Sequence, residues 1–227
     1  MQRLFDIVFS VLALAALSPL LLPIVMILRF TGEGEVLYKQ RRVGLHGEHF
    51  GLLKFATMLK DSPNIGAGEI TVRADPRILP FGRFLRKTKL NELPQLFNIL
   101  KGDLSLVGPR PMVPSTFSEY PAKARERLCQ VRPGLTGIGS VFFRDEEEML
   151  DGFEDALSFY REVIIPYKAD LEMWYVERRS IRLYFLLILL TAWAIPFPGT
   201  TLPQRLLKGL PRPPDSLRSM NATSSAT

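Results

Sequence analysis

Residues 88–95 read TKLNELPQ, and the chemistry open to this chain turns on Asn91-Glu92. A carboxylate can ligate a hard cation or attack phosphorus, while a carboxamide can cap a helix or offer a carbonyl oxygen. The pair is a cap, a catalytic pair, or a catalytic pair in which an amide replaces one acid. Around it stand Arg83, Arg86, Lys87 and Lys89, with Lys101 and Arg110 further on. Such clusters are most often solvated faces. Arg110 is different, because in VGPRP it lies between Pro109 and Pro111, which restrict the backbone that presents it. A rigidly held guanidinium suits bidentate recognition of phosphate.

The elements that must position these residues follow from spacing. Leu93, Leu96, Phe97 and Leu100 recur at i, i+3, i+4 and i+7, which predicts a helix capped by Asn91 and ended by Gly102. Glu92 suits its first turn and Pro94 is tolerated there. Its N-terminus would carry free N–H groups and a positive dipole end, a natural seat for phosphate. Upstream, Val36–Gln40 and Phe50–Phe55 read as a hairpin joined around Leu45-His46-Gly47. A loop over 63–68, a short strand around Ile70–Arg73 and a segment opening at Asp75-Pro76-Arg77 come next. Phe81, Phe84 and Leu85 then stand at helical spacing.

With 29 Lys and Arg against 23 Asp and Glu, the net charge of +6 favours an anionic partner. No nucleic-acid-binding motif accompanies that charge, so nucleic acid is not expected as a partner. Neither G-x-x-x-x-G-K-[ST] nor G-x-G-x-x-G occurs, so nucleotides bound in those ways are not indicated. The lone Cys129 excludes an intrachain disulfide and fits a reducing compartment. His46 and His49 fall in or beside one loop and read as solvated side chains, which leaves no basis for a His-rich metal site or a Ser-His-Asp triad.

Ile7–Leu28 runs about 22 residues without a charge, enough to cross a bilayer. Arg3 and Asp6 flank it on one side and Arg29 on the other. Pro19 removes a helical hydrogen bond, so a kink is expected near Ser18, whose hydroxyl can satisfy the freed carbonyl. Two readings are open: a straight anchor, or a kinked helix that enters and leaves by one face. Leu183–Phe197 is a shorter apolar run, typical of a buried or interfacial helix. The Pro/Ser-rich end reads as a disordered tail, and Asn221 opens a glycosylation acceptor pattern with nothing to indicate export. The organisation expected is a membrane helix over 1–30, a polar domain over 31–182, an interfacial or inserted helix over 183–197 and a tail over 198–227.

FGRFLRKTKLNELPQLFNILKGDLSLVGPRP closely resembles the signature of the bacterial sugar transferases, the small monotopic phosphoglycosyl transferases. The likeness runs from Arg3 to about Pro196. It takes in RLFDIV…SPL, the QRRVG…KFATM hairpin, DPR at Asp75–Arg77 and VRPGLTG at Val131–Gly137. The resemblance implies a mostly helical α/β monotopic membrane protein. Its features would be an N-terminal re-entrant helix broken at Ser18-Pro19, a small catalytic domain with a β-hairpin, and amphipathic interfacial helices.

The activity implied is transfer of a sugar-1-phosphate from a UDP-sugar to undecaprenyl phosphate, releasing UMP. This would be the initiating step of exopolysaccharide, O-antigen or glycoconjugate synthesis, at the cytosolic face of the bacterial inner membrane. Mg²⁺ is the implied cofactor, held by Glu92 and Asn91; Arg86 and Arg110 are the implied phosphate ligands. A homodimer and downstream glycosyltransferases are the partners expected beyond the substrates.

The chain departs from the family pattern at the centre. The family's Asp-Glu pair, whose Asp is described as the nucleophile, is here Asn91-Glu92, and an amide is a poor nucleophile. KFATM places Ala56 where relatives carry a cation. DLEMWY offers Glu172, with Asp170 on a different helical face, where relatives often have Asp before Tyr-Tyr. The acidic run Asp145–Glu148 reads as a solvated face or as a reach toward metal or sugar. Three accounts of Asn91 stand: Glu92 as nucleophile, direct attack by the lipid phosphate, or a catalytically inactive scaffold or substrate-holding subunit of a glycan-assembly complex.

Overall fold

The computed structural model describes residues 1–64, 75–144, 155–197 and 200–217. It divides into two units, Met1–Gly44 with Glu48–Leu106, and Leu45–Gly47 with Val107–Thr227. The strand expected at 70–73, the acidic run 145–148 and the acceptor at 221 lie outside the described residues.

The first unit begins with α1 (Gln2–Phe30), which stays helical through Pro19 and Pro23. Pro19 has no N–H for the carbonyl of Ala15, four residues back, and the Ser18 hydroxyl donates to that carbonyl at 2.8 Å. The expected substitution of side chain for backbone is present, and it leaves no gap in the helix. α1 is the one described helix long and apolar enough to cross a membrane.

Both ends of α1 are held by the unit. Near its start, buried Asp6 accepts from Ser105 Oγ and the Leu106 N–H, each at 3.0 Å. Arg3 donates to the carbonyls of Ile99 and Leu100 at the end of another helix, where a cation is favoured. Toward the other end, Ile24 and Leu28 pack with Phe55 and Leu85 in a buried cluster. Between these anchors Val8, Val11, Leu12, Leu20 and Leu22 are exposed.

The hairpin is as expected, β1 (Leu37–Val43) antiparallel to β2 (His49–Phe55) with Leu37 opposite Phe55. Its turn has positive φ at His46 and Gly47, and both histidines are exposed. After it, Asp75 and Arg77 form a buried bidentate pair with contacts of 2.9 and 2.6 Å, and Arg77 also donates to the carbonyl of Ser62 at 2.7 Å. The DPR stretch is therefore a structural clamp. α2 (Pro80–Lys87) follows, and Gly82 lies where a Cβ would meet the Thr57 carbonyl at 2.2 Å.

The helix expected from Asn91 to Gly102 starts later. Leu90–Glu92 is a 3₁₀ turn, and α3 covers Gln95–Lys101. Pro94 cannot donate to the carbonyl of Leu90, which takes the Leu93 N–H at 3.2 Å instead. Asn91 thus sits inside the 3₁₀ turn and is not a cap. Gly102 ends α3 as expected, with φ 100°. Asn98 ties α3 to β2, accepting from the Leu53 N–H and donating to the Gly51 carbonyl.

The second unit begins within β3 (Ser105–Val107) and includes α4 (Pro114–Glu119), α5 (Ala122–Leu128), β4 (Gly134–Thr136) and α6 (Ile138–Phe142). A long helical stretch follows: α7 (Ala156–Phe159), a π segment at Tyr160–Ile164, then α8 (Ile165–Glu177). Leu128, Ala124 and Tyr120 pack on Ile165 and Ala169 of α8. α9 (Ile181–Ala194) is capped by Ser180, whose hydroxyl accepts from the Leu183 N–H. Its Leu183, Tyr184, Leu187, Leu190 and Ala194 are buried, while Leu189, Trp193, Ile195 and Phe197 in and just after it are exposed. One face of the second apolar run is core and the other is free.

Residues 200–217, expected to be disordered, instead hold α10 (Leu202–Leu206) with Pro203, Leu207 and Leu217 buried. The leucines spaced through this Pro-rich stretch give it enough apolar surface to dock.

Candidate active site

Two clusters gather the residues singled out by sequence, one in each unit. In the first, Arg86 lies half-buried in the last turn of α2, and its carbonyl accepts the Lys89 N–H at 3.1 Å. Lys89 adopts φ 59°, a left-handed conformation unfavourable for a side chain with a Cβ and typical of functional turns. Nothing in the residue type signals it. This turn delivers Leu90–Glu92. Asn91 is buried and its Oδ1 has no hydrogen-bond partner, an arrangement that costs about 1–3 kcal/mol when left unsatisfied. Glu92 is half-buried. Successive side chains in a 3₁₀ turn point about 120° apart, so Glu92 does not take over the direction of Asn91. Ala56 is buried beside the hairpin, its N–H bonded to the Val36 carbonyl at 3.0 Å.

Asn91 and Glu92 fit a hard cation, since both offer oxygen donors and one of these is buried and unsatisfied. Mg²⁺ commonly takes one or two protein oxygens and completes its shell with water and substrate phosphate. Among the described residues no group of three or more His, Cys, Asp or Glu assembles that could hold a metal by itself.

The second cluster is built around VGPRP. Gly108 N–H donates to the Thr136 carbonyl at 2.9 Å, and Gly134 N–H to the Pro109 carbonyl at 2.8 Å. The backbones approach so closely that a Cβ on Gly134 would lie 2.1 Å from the Gly108 nitrogen, and one on Gly137 2.0 Å from its carbonyl oxygen. This is the reason for the glycines of VRPGLTG, which sequence reading matched without explaining. Arg110 is half-buried on the resulting rigid loop.

Glu172 of α8 is buried, and its Oε1 accepts from the Arg110 N–H at 3.2 Å, while Oε2 has no hydrogen-bond partner. Burial pushes its carboxyl up to about 7, against the opposing pull of the Arg110 N–H, the Lys168 and Arg110 charges and the Gly139 N–H. Asp170 lies on a different face, as expected, exposed in a groove with Trp174, Arg178 and Gly209. Its carboxyl is raised by partial burial.

The Glu172 shift has a measurable consequence. Its folded value exceeds the unfolded one, so the native state holds the proton more tightly. The associated stability is complete below about pH 4.5 and is lost as pH rises through about 7. At about 1.4 kcal/mol per unit the loss amounts to about 3 kcal/mol. Thermal unfolding between about pH 5 and pH 8 should show Tm falling as pH rises, and Glu172→Gln should flatten that slope.

Residues 1–197 match the family model for bacterial sugar transferases, and the chain belongs to that family. It is 40% identical over 150 residues to the undecaprenyl-phosphate glucose phosphotransferase of Komagataeibacter xylinus, covering 62% of this chain and 27% of that one. It is 39% identical over 159 residues to the exopolysaccharide production protein ExoY of Sinorhizobium fredii, covering 64% and 70%. Against the undecaprenyl-phosphate galactose phosphotransferase of Salmonella typhimurium it is 38% identical over 161 residues, covering 64% and 33%. The chain thus spans about a quarter to a third of two of these relatives.

Proposed function

We propose that the chain transfers a sugar-1-phosphate from a UDP-sugar to undecaprenyl phosphate and releases UMP, at the cytosolic face of a bacterial inner membrane. Family membership and the names of the relatives support the reaction class. The observation that carries the site is the buried, unsatisfied Asn91 Oδ1, one residue before Glu92 in the same 3₁₀ turn. Mg²⁺ held there would neutralise phosphate oxygens and ease attack on phosphorus. Arg110 grips a phosphate with its fork, and Arg86 adds positive charge near the pair.

Membrane seating follows the same reading. Arg3 and Asp6 at one end of α1, and Ile24 and Leu28 at the other, are anchored in a single unit. A helix crossing the bilayer would carry one end about 30 Å away through hydrocarbon. Anchorage of both ends therefore supports re-entrant insertion, with the exposed apolar middle of α1 in lipid. The free face of α9 lies in the interface.

The transfer is a direct displacement. An oxygen of undecaprenyl phosphate attacks the sugar-bearing phosphorus, the bond to the bridging oxygen of UMP breaks, and that oxygen leaves with its electron pair. No net proton is taken up or released. Asn91 carries no charge with which to attack, and Glu92 stands one residue further along the 3₁₀ turn, where it serves the metal. Intact-mass analysis after mixing with UDP-sugar alone should therefore show no sugar-phosphate adduct. In Asn91→Asp, which restores the family's acid, an adduct should accumulate. An adduct on the unmodified chain would contradict direct displacement.

Asn91 also favours a second reading, a non-catalytic scaffold of a glycan-assembly complex. It predicts no UMP release under any condition.

A further inference from the structure

The phosphate-gripping role proposed for Arg110 depends on where its loop is held, and the loop is gripped by α8 at two points. Tyr175 donates its hydroxyl to the Val107 carbonyl at 3.1 Å. One turn earlier, Glu172 Oε1 accepts the Arg110 N–H at 3.2 Å. The fit at Gly139 leaves no margin, since a Cβ there would lie 2.4 Å from Glu172 Oε1. Glu172 is only 3% exposed, so its carboxyl stands back among backbone donors. Lys168 precedes it by four residues on the same helical face and is itself buried, with Nζ over the rings of Phe143 and Tyr160.

We propose that Glu172 is a positioning residue: its Oε1, seated in the space that Gly139 leaves open, clasps the Arg110 backbone N–H and so fixes the phosphate-binding arginine, without itself touching substrate or metal. The proposal rests on the reading of Arg110 given above. It gives one physical reason for the glycine at 139 and for an acid buried away from solvent. Hydrogen-bond acceptance is the function, and charge is incidental to it.

Two substitutions separate acceptance from charge. Glu172→Gln keeps an acceptor oxygen in the same place, whereas Glu172→Met fills similar volume and offers no comparable acceptor. In the full chain in detergent, amide hydrogen exchange at Arg110 should stay slow in Glu172→Gln and rise about tenfold in Glu172→Met. UMP release should follow, within about threefold of the parent for Gln and at least tenfold lower for Met. Combining Glu172→Met with Arg110→Ala should add little to Arg110→Ala alone, because both act through one guanidinium.

Unchanged exchange in Glu172→Met, a Gln variant as impaired as Met, or multiplicative loss in the double variant would each overturn the proposal. Exchange is read without turnover. A chain that releases no UMP but shows the exchange pattern would sink the transferase reading and leave the clasp standing.

Discussion

UMP release by Arg110→Ala is expected to fall about a thousandfold, a loss of about 4 kcal/mol of transition-state stabilisation. Charge on the transferring phosphoryl group is spread over its oxygens, so a preplaced guanidinium matters more at the transition state than in the ground state. The variant should remain folded. The loop around Arg110 is closed by backbone bonds, Gly108 to Thr136 and Gly134 to Pro109, and Glu172 accepts from the Arg110 backbone N–H, which alanine retains. Arg110→Lys should recover only part of the loss, because a point charge lacks the two-pronged fork. The check is initial rate of UMP release with circular dichroism as the folding control. A rate near that of the parent would contradict a phosphate-gripping role for Arg110.

The second large effect is expected at Glu92. Glu92→Gln preserves size and hydrogen bonding but removes the only carboxylate of the pair, and turnover should fall on the order of a thousandfold. The deficit should shrink little with added Mg²⁺ if the carboxylate also orients the reacting phosphate. Titrating Mg²⁺ against rate for both proteins checks this. Recovery to the parental rate at high Mg²⁺ would restrict Glu92 to metal binding.

Much of the framework was legible from spacing alone. Two strand-like stretches joined by a Gly-containing turn disclose the hairpin, and Gly102 marks a helix end because only a residue without a Cβ readily takes φ 100°. The Ser18 hydroxyl was expected to relieve the proline-orphaned carbonyl, and it does. The start of α3 was misplaced, since helical periodicity continues smoothly through a 3₁₀ turn and does not reveal that Pro94 delays the α-helix. In residues 200–217 a high Pro and polar content hides the few leucines that dock the stretch.

Residue types single out Asn91, Glu92, Arg86 and Arg110 as candidates, but say nothing of their surroundings. The unsatisfied Asn91 Oδ1 and the left-handed Lys89 depend on packing that no local pattern encodes. The Glu172 clasp joins residues 62 positions apart in sequence, and only folding brings them together. DPR shows the same limit: spacing marks only the opening of a segment there, and folding makes Asp75 and Arg77 a buried clamp.

The most direct test of the central claim is UMP release by the purified full chain in nanodiscs with Mg²⁺, undecaprenyl phosphate and a panel of UDP-sugars. The account predicts release with at least one sugar nucleotide, abolished when the lipid phosphate is omitted and strongly reduced in Glu92→Gln. Absence of UMP across the panel, from protein shown to be folded, would contradict it.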